Sequence, residues 1–359
     1  MFAPVTSATD TTDLSLLQAH TFERVFGLSS GTTITCPVSP GLPNGTVASA
    51  SDSPGTQGVY YTLAQQPGGT YNLWSDVANP LTGTWSGPSV LPGQPDHANN
   101  QLTPLAAWSN GPGTTNVFFL QKGKLVNDYS LGGSGKWQGP GGLPGTPDNA
   151  NLGGGIAATS AGSSSYVFFW QKGSIVYDVD SGAGWTGPFT AIANVVSSGN
   201  SETPLAATAI NGAVTLIYET FNYSTGNAVA ATLVDGSWTT TTAAANIDQQ
   251  TPLAITTPVG GVPTLIYTTG NNGGSNTNLV ASSLNGAAWS VSGTVAGSIG
   301  FPVASVTASS SLAGELDVYL VPPSGDQHNI VGHYLWTPSG GWLPQAPLPV
   351  PTLTGQYSH

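Results

Sequence analysis

Short apolar runs separated by turn-forming residues recur along the chain. Val59-Tyr60-Tyr61, Val117-Phe118-Phe119, Val167-Phe168-Phe169, Leu216-Ile217-Tyr218, Leu265-Ile266-Tyr267 and Val318-Tyr319-Leu320 are aromatic or β-branched stretches of strand type. A phrase of small residues comes before several of them: Thr103-Pro104-Leu105-Ala106-Ala107, Thr203-Pro204-Leu205-Ala206-Ala207 and Thr251-Pro252-Leu253-Ala254. Looser copies are Gly154-Gly155-Ile156-Ala157-Ala158 and Phe301-Pro302-Val303-Ala304. Asn211-Gly212 separates two such runs, while Asp235-Gly236 and Asn285-Gly286 precede a tryptophan. These dipeptides suit two-residue hairpin turns, which need positive φ.

Each unit closes on a tryptophan: Trp85, Trp137, Trp185, Trp238, Trp289 and Trp342, spaced 52, 48, 53, 51 and 53 residues apart. Three lie in the phrases Trp85-Ser86-Gly87-Pro88, Trp137-Gln138-Gly139-Pro140 and Trp185-Thr186-Gly187-Pro188. Up-and-down strands in repeats of this length are propeller blades. The pattern therefore predicts an all-β, six-bladed β-propeller with four-stranded antiparallel blades over residues 43–345. The small-residue strand is expected innermost and the closing Trp between blades. Residues 1–42 are expected to pack on the ring or close it, with an amphipathic helix around Leu14–Phe26. Residues 346–359 read as a Pro-rich strap.

Composition narrows the function. The 359-residue chain has 48 Gly, 28 Pro, 6% charged residues and a net charge of −12. Its five cations are Arg24, Lys122, Lys124, Lys136 and Lys172. That excludes nucleic acid as a partner, since phosphate binding needs cations, and anionic membrane surfaces likewise. Cys36 is the sole cysteine, so no internal disulfide forms. No stretch is apolar enough to span a membrane. Met1-Phe2-Ala3-Pro4 lacks the features of a leader, so a form with its leader removed is expected. The sequons at Asn44 and Asn222 point to glycosylation and a secretory location. No metal or cofactor is expected: His20, His97, His328, His333 and His359 show no ligand spacing. Glu202, Glu219 and Glu315 have nothing to fix them as a carboxylate pair.

Six repeats of this length, with an aromatic second strand and a closing Trp, resemble the fungal fucose-specific lectins over roughly residues 43–345. The resemblance implies a sugar site between blades, made by an Arg just before the aromatic strand, a Glu on the next strand and a stacking aromatic. The place of the Arg is held here by Gly58, Asn116, Tyr166, Thr215, Thr264 and Asp317. The Glu position falls near Asn127 in the second unit and Tyr177 in the third. Lys does not reproduce the guanidinium fork.

Two functions follow. The first is an enzyme, similar at fold level to the hetero-Diels–Alderases of fungal tropolone–sesquiterpene pathways. Such a pericyclase needs no cofactor. It needs apolar, terpenoid- or polyketide-like reactants held in near-attack geometry, with a hydroxyl aimed at the carbonyl that gains charge. Tyr166, Tyr218 and Tyr267 on the second strands are the expected catalytic donors. Trp108, Trp170, Tyr61, Trp74 and Trp336 are the expected substrate-binding residues. The second is a secreted lectin with a different glycan specificity, which predicts the same polar residues in every unit. The units differ at those positions, which leans the reading toward one asymmetric pocket. The oligomeric state is not legible.

Overall fold

The computed structural model describes residues 46–348 apart from 52–56, 65–70, 79–83, 92–96, 99–100, 103, 110–113, 122–124, 132–135, 145–154, 196–202, 223–224, 249–250, 259–260, 271–276, 297–298, 300–302, 311–313 and 322–330. The expectations for residues 1–42, for Asn44 and for the C-terminal strap beyond Leu348 lie outside the described residues.

Six four-stranded antiparallel sheets follow one another, each built from consecutive strands. The inner strands are Thr46–Ser51, Leu105–Ser109, Ile156–Ala161, Ala206–Ile210, Leu253–Thr256 and Ser305–Ser310. The outer strands are Trp85–Val90, Trp137–Gly142, Trp185–Ile192, Ser237–Ile247, Ala288–Ala296 and Gly341–Pro344. The closing tryptophans thus start or nearly start each outer strand. A two-stranded ribbon, His97–Ala98 with Gln101–Leu102, lies between blades 1 and 2. The architecture is the six-bladed all-β propeller that the repeat predicts.

The second strands read as unbroken apolar runs because both of their faces are covered. The core accordingly divides into six clusters, one per seam between neighbouring blades. Tyr60 packs toward blade 2 with Leu105, Val117 and Phe119, while its neighbour Tyr61 packs toward blade 6 with Tyr319 and Val321. Phe118 and Phe119, and Phe168 and Phe169, divide in the same way. Fully burying one such side chain stabilises by about 1.5–3 kcal/mol, so each aromatic pair ties a blade to both neighbours.

The turns follow the sequence with one correction. Asn211 (φ 50°) with Gly212 (φ 79°), and Asp235 (φ 49°) with Gly236 (φ 77°), close hairpins as expected. At the third site Asn285 pairs with Ala288, so the turn is Gly286-Ala287, one residue later, with only Gly286 left-handed. Lys172-Gly173 is a fourth such turn, between Gln171 and Ser174. Lysine at the first position hid it from turn rules.

In blades 1 and 3 the Trp-x-Gly-Pro phrase is a bulge with a carboxylate beneath it, whereas in blade 2 Tyr129 holds that register opposite Gly139-Pro140. Ser75 pairs with Ser89 and Val77 with Ser86, leaving Gly87-Pro88 opposite Asp76. Tyr177 pairs with Phe189 and Val179 with Thr186, leaving Gly187-Pro188 opposite Asp178. Both aspartates are fully buried. A Cβ on Gly87 or Gly187 would overlap the Oδ1 of the aspartate below it, and φ is +137° and +145°. The glycines are therefore required twice over. Blades 4, 5 and 6 lack the phrase and carry Ala231, Ser282 and Tyr334 opposite Leu216, Leu265 and Val318, the register that Asp76 and Asp178 hold.

Asp76 makes one of these bulges pH-sensitive. Burial raises its carboxyl to about 6, and the hydrogen bond from Tyr61 Oη (2.9 Å) only partly offsets that. Between the ordinary unfolded value and about 6 the folded chain keeps a proton that the unfolded chain has released. Stability from this group therefore falls as pH rises through that window. Asp76→Asn should remove this part of the slope. Thermal unfolding at pH 4, 5, 6 and 7 should show the variant gaining on the wild type as pH rises; parallel curves would refute it.

Candidate functional site

The seams follow one construction rule. The closing Trp of each blade turns back onto the second strand of the blade before it. Trp137 meets Tyr60 edge-to-face at 5.8 Å, Trp185 meets Phe118 at 5.7 Å, Trp238 meets Phe168 at 5.9 Å and Trp85 meets Tyr319 at 5.9 Å. Trp289 and Trp342 do the same against clusters in which Ile217 and Ile266 replace the ring. All six tryptophans stay half-buried. Two residues before each socket, on the same strand face, stand Gly58, Asn116, Tyr166, Thr215, Thr264 and Asp317. Each seam thus has one such position beside a half-buried indole, filled by glycine, asparagine, tyrosine, threonine twice and aspartate.

Four of these positions are occupied by the protein itself. At seam 1/2 a Cβ on Gly58 would meet the Tyr60 ring, so the ring fills that place. At seam 4/5 the buried Thr215 faces Thr232 across the sheet, Oγ1 to Oγ1 3.0 Å. At seam 5/6 Thr264 faces Ser283 at 3.3 Å, and Ser283 donates to Ser292 at 2.9 Å. At seam 6/1 the Gln57 amide donates to Asp317 Oδ2, Tyr319 Oη donates to Gln57 Oε1 (3.1 Å), and His333 Nε2 lies 2.6 Å from Asp317 Oδ1. The Tyr319 and His333 rings stack at 4.7 Å beneath Trp85. Asp317, Gln57 and His333 are buried, so this cluster serves ring closure.

Of the two left, seam 2/3 presents the half-buried Asn116, and seam 3/4 presents a group of rings. Tyr166 lies 6.0 Å from Tyr177, and Tyr177 lies 5.6 Å from Phe189 and 6.0 Å from Trp238. Tyr166, Tyr177 and Trp238 are half-buried, and Phe189 is 45% exposed. Neither tyrosine hydroxyl has a hydrogen-bond partner among the described residues. Burial, then the neighbouring Tyr166, raises the Tyr177 hydroxyl, so it stays protonated at neutral pH. On the same face of the outer strand as Trp238 stand the exposed hydroxyls of Thr240 and Thr242. The result is an uncharged aromatic ledge with free hydroxyls. It can stack on an apolar face and hydrogen-bond its rim.

The residues singled out from sequence are dispersed. Tyr166 borders this ledge. Tyr218 lies buried in the same seam cluster, and Tyr267 lies buried in seam 4/5, with burial raising both hydroxyls. Trp170 is buried in seam 3/4, its indole N–H donating to the Thr203 carbonyl at 2.8 Å. Trp108 is buried in seam 2/3 and Tyr61 in seam 6/1. Trp74 packs against seam 6/1, and Trp336 meets Trp342 at 6.5 Å on blade 6. Asn222 ends the second strand of blade 4. The structure does not bring the three tyrosines to one surface. Sequence reading missed Phe189, used Trp238 only as a repeat marker and met Tyr177 only near the Glu position that the resemblance implies. The ring-to-ring register that joins them spans two blades.

The propeller axis holds a cavity of about 80 Å³ lined by all six inner strands, mostly Ala106, Ala107, Ala157, Ala158, Ala206 and Ala207 with larger neighbours. Drug-sized ligands occupy roughly 300–1,000 Å³, so the axis does not hold two bulky reactants.

No family model and no curated protein matches the chain. Solved structures do match. The SapL1 lectin, solved with α-methyl fucoside, superposes with a TM-score of 0.62 at 20% identity, covering 84% of this chain and 95% of its own. The Aleuria aurantia lectin, described as a six-bladed propeller with a novel fucose recognition mode, gives 0.62 at 18%, covering 88% and 98%. AofleA from Arthrobotrys oligospora gives 0.58 at 15%, covering 84% and 85%. At these identities the likeness establishes the fold.

Proposed function

We propose that this chain is a carbohydrate-binding propeller that uses one principal, arginine-free site, the aromatic ledge of seam 3/4. The observation that carries this reading is the half-exposed group Tyr166, Tyr177, Phe189 and Trp238 with two unclaimed hydroxyls. A pyranose has a C–H face that stacks on such rings and a rim of hydroxyls that bond to tyrosine and threonine. With no described cation at the ledge, the ligand is a neutral sugar rather than a sialylated or sulfated one. The lectin structures above, one of them solved with a fucoside, support the sugar class. A secretory location belongs to this reading, supported by the two sequons and the low charge.

The test is titration calorimetry with neutral glycans drawn from an array. Phe189→Ala and Tyr177→Ala should each weaken binding about tenfold or more, which is about 1.4 kcal/mol. Tyr166→Phe and Tyr177→Phe, each losing one hydrogen bond of about 0.5–1.5 kcal/mol, should weaken it roughly 2–12-fold. Several equivalent sites per chain, or no sugar binding at all, would overturn the proposal. Stabilisation by terpenoids without sugar binding would instead favour the pericyclase reading, which keeps Tyr166 at this surface as hydroxyl donor.

A further inference from the structure

The outer strand of every blade is a sheet edge, and edges with unpaired N–H and C=O groups template further strands unless they are blunted. Blades 1, 2 and 3 blunt theirs early. The outer strand runs two residues, Trp85-Ser86, Trp137-Gln138 or Trp185-Thr186, and then bulges at Gly-Pro. Blade 5 runs four residues, Ala288–Val291, before its register shifts, and blade 6 ends at Pro344 after four. Blade 4 alone pairs six residues without interruption, Ser237 to Thr242.

That stretch, Ser237-Trp238-Thr239-Thr240-Thr241-Thr242, is uncharged and β-branched, and every residue but the half-buried Trp238 is exposed. Its hairpin geometry fixes which groups face out. Val234 and Ser237 flank the two-residue turn and form a hydrogen-bonded pair, as do Thr232–Thr239 and Ala230–Thr241. The N–H and C=O groups of Trp238, Thr240 and Thr242 therefore point away from the blade. Among the described residues no strand pairs with them.

We propose that this edge is a docking strand for a second copy of the chain, paired antiparallel about a two-fold axis. The partner follows from charge. Two copies of a chain carrying −12 repel over most of their surface. Residues 236–247 carry no charge, so here two acidic copies approach without like charges facing. The segment is nearly uniform, so it is its own complement when reversed, as an isologous contact requires. One strand pair buries less than a standard interface, so the dimer is weak, roughly micromolar. This inference does not depend on the sugar reading.

Sedimentation velocity on the full chain between about 1 and 100 μM, a range set by that weak contact, tests it. The wild type should shift from monomer to twice 36.3 kDa with concentration. Thr240→Pro removes an outward N–H while leaving the blade's own ladder intact, as edge strands tolerate. It should weaken dimerisation at least about tenfold, a loss of about 1.4 kcal/mol. Thr240→Lys, which cannot disturb the backbone, should do the same and decides the matter if the proline variant misfolds. A wild type that stays monomeric, or two folded variants that dimerise like it, would overturn the proposal.

Discussion

Asp317→Ala should cost about 3–5 kcal/mol of stability, because it removes one member of a buried hydrogen-bonded cluster and leaves the others without a partner. Gln57 Nε2 and His333 Nε2 both bond to this carboxyl group, and Tyr319 is oriented through Gln57. Seam 6/1 joins the first described blade to the last. Neighbouring blades elsewhere are consecutive in the chain, whereas this pair is joined by packing and side-chain bonds. Val47 N–H donates to Ser305 Oγ (3.2 Å), and Ser49 N–H donates to Thr307 Oγ1 (3.0 Å). Loss of the cluster should loosen the ring at that seam before the blades melt. Urea denaturation followed by Trp fluorescence measures the loss. Because Trp85 meets His333 edge-to-face, a fluorescence change preceding the loss of β-sheet circular dichroism is expected. A loss under about 1 kcal/mol would mean that water replaces the carboxylate at no cost, and the seam would not be the lock described here.

Gly187→Ala should be nearly as damaging, at about 3 kcal/mol or more. Two costs combine. The backbone sits at φ +145°, where a side chain is strained by roughly 1–3 kcal/mol. The new Cβ also overlaps Asp178 Oδ1 and comes 3.0 Å from the Tyr177 carbonyl oxygen and from Asp178 Cα. Only the carboxylate overlap is relieved in Gly187→Ala/Asp178→Ala, so the double variant should lose less than the sum of the singles. Gly212→Ala is the control. Its φ is +79°, but a Cβ there meets nothing, so only the backbone cost of about 1 kcal/mol remains. Equal losses at Gly187 and Gly212 in thermal unfolding would show that the carboxylate beneath the bulge is irrelevant.

The difference between these two glycines shows how far local pattern reaches. Gly212 follows Asn211 in a dipeptide whose conformation is a local property, and the turn is readable from two letters. Gly187 is readable as part of a repeated phrase, but its reason is Asp178, nine residues earlier and on the neighbouring strand. The same contrast holds for the tryptophans. Their spacing announces six units, and their bulk announces burial between them. That Trp238 would meet Phe168 and Tyr177, while Trp289 packs against the cluster of Ile217, depends on residues in the previous blade.

The candidate site was therefore legible only in part. Tyr166 was visible as the odd occupant of a repeated position. Tyr218 and Tyr267 looked equivalent to it as second-strand tyrosines. They sit three residues further along the strand register, on the opposite face, which the preceding blade closes, and both are buried. Trp108 and Trp170 looked like pocket residues because large aromatics suit both pockets and seams. Burial between sheets is a property of the assembled ring, and composition does not distinguish the two.

Strand order, blade number, inner and outer ends and most turns were set by period and turn chemistry, which act within one repeat of about fifty residues. Which repeats present a surface for binding was decided by contacts across seams, where residues some fifty or more positions apart meet. Six similar units can share one backbone because their hydrogen bonds are local. They differ in function because the side chain filling each seam is matched to a partner in the next blade, and only the closed ring makes that pairing.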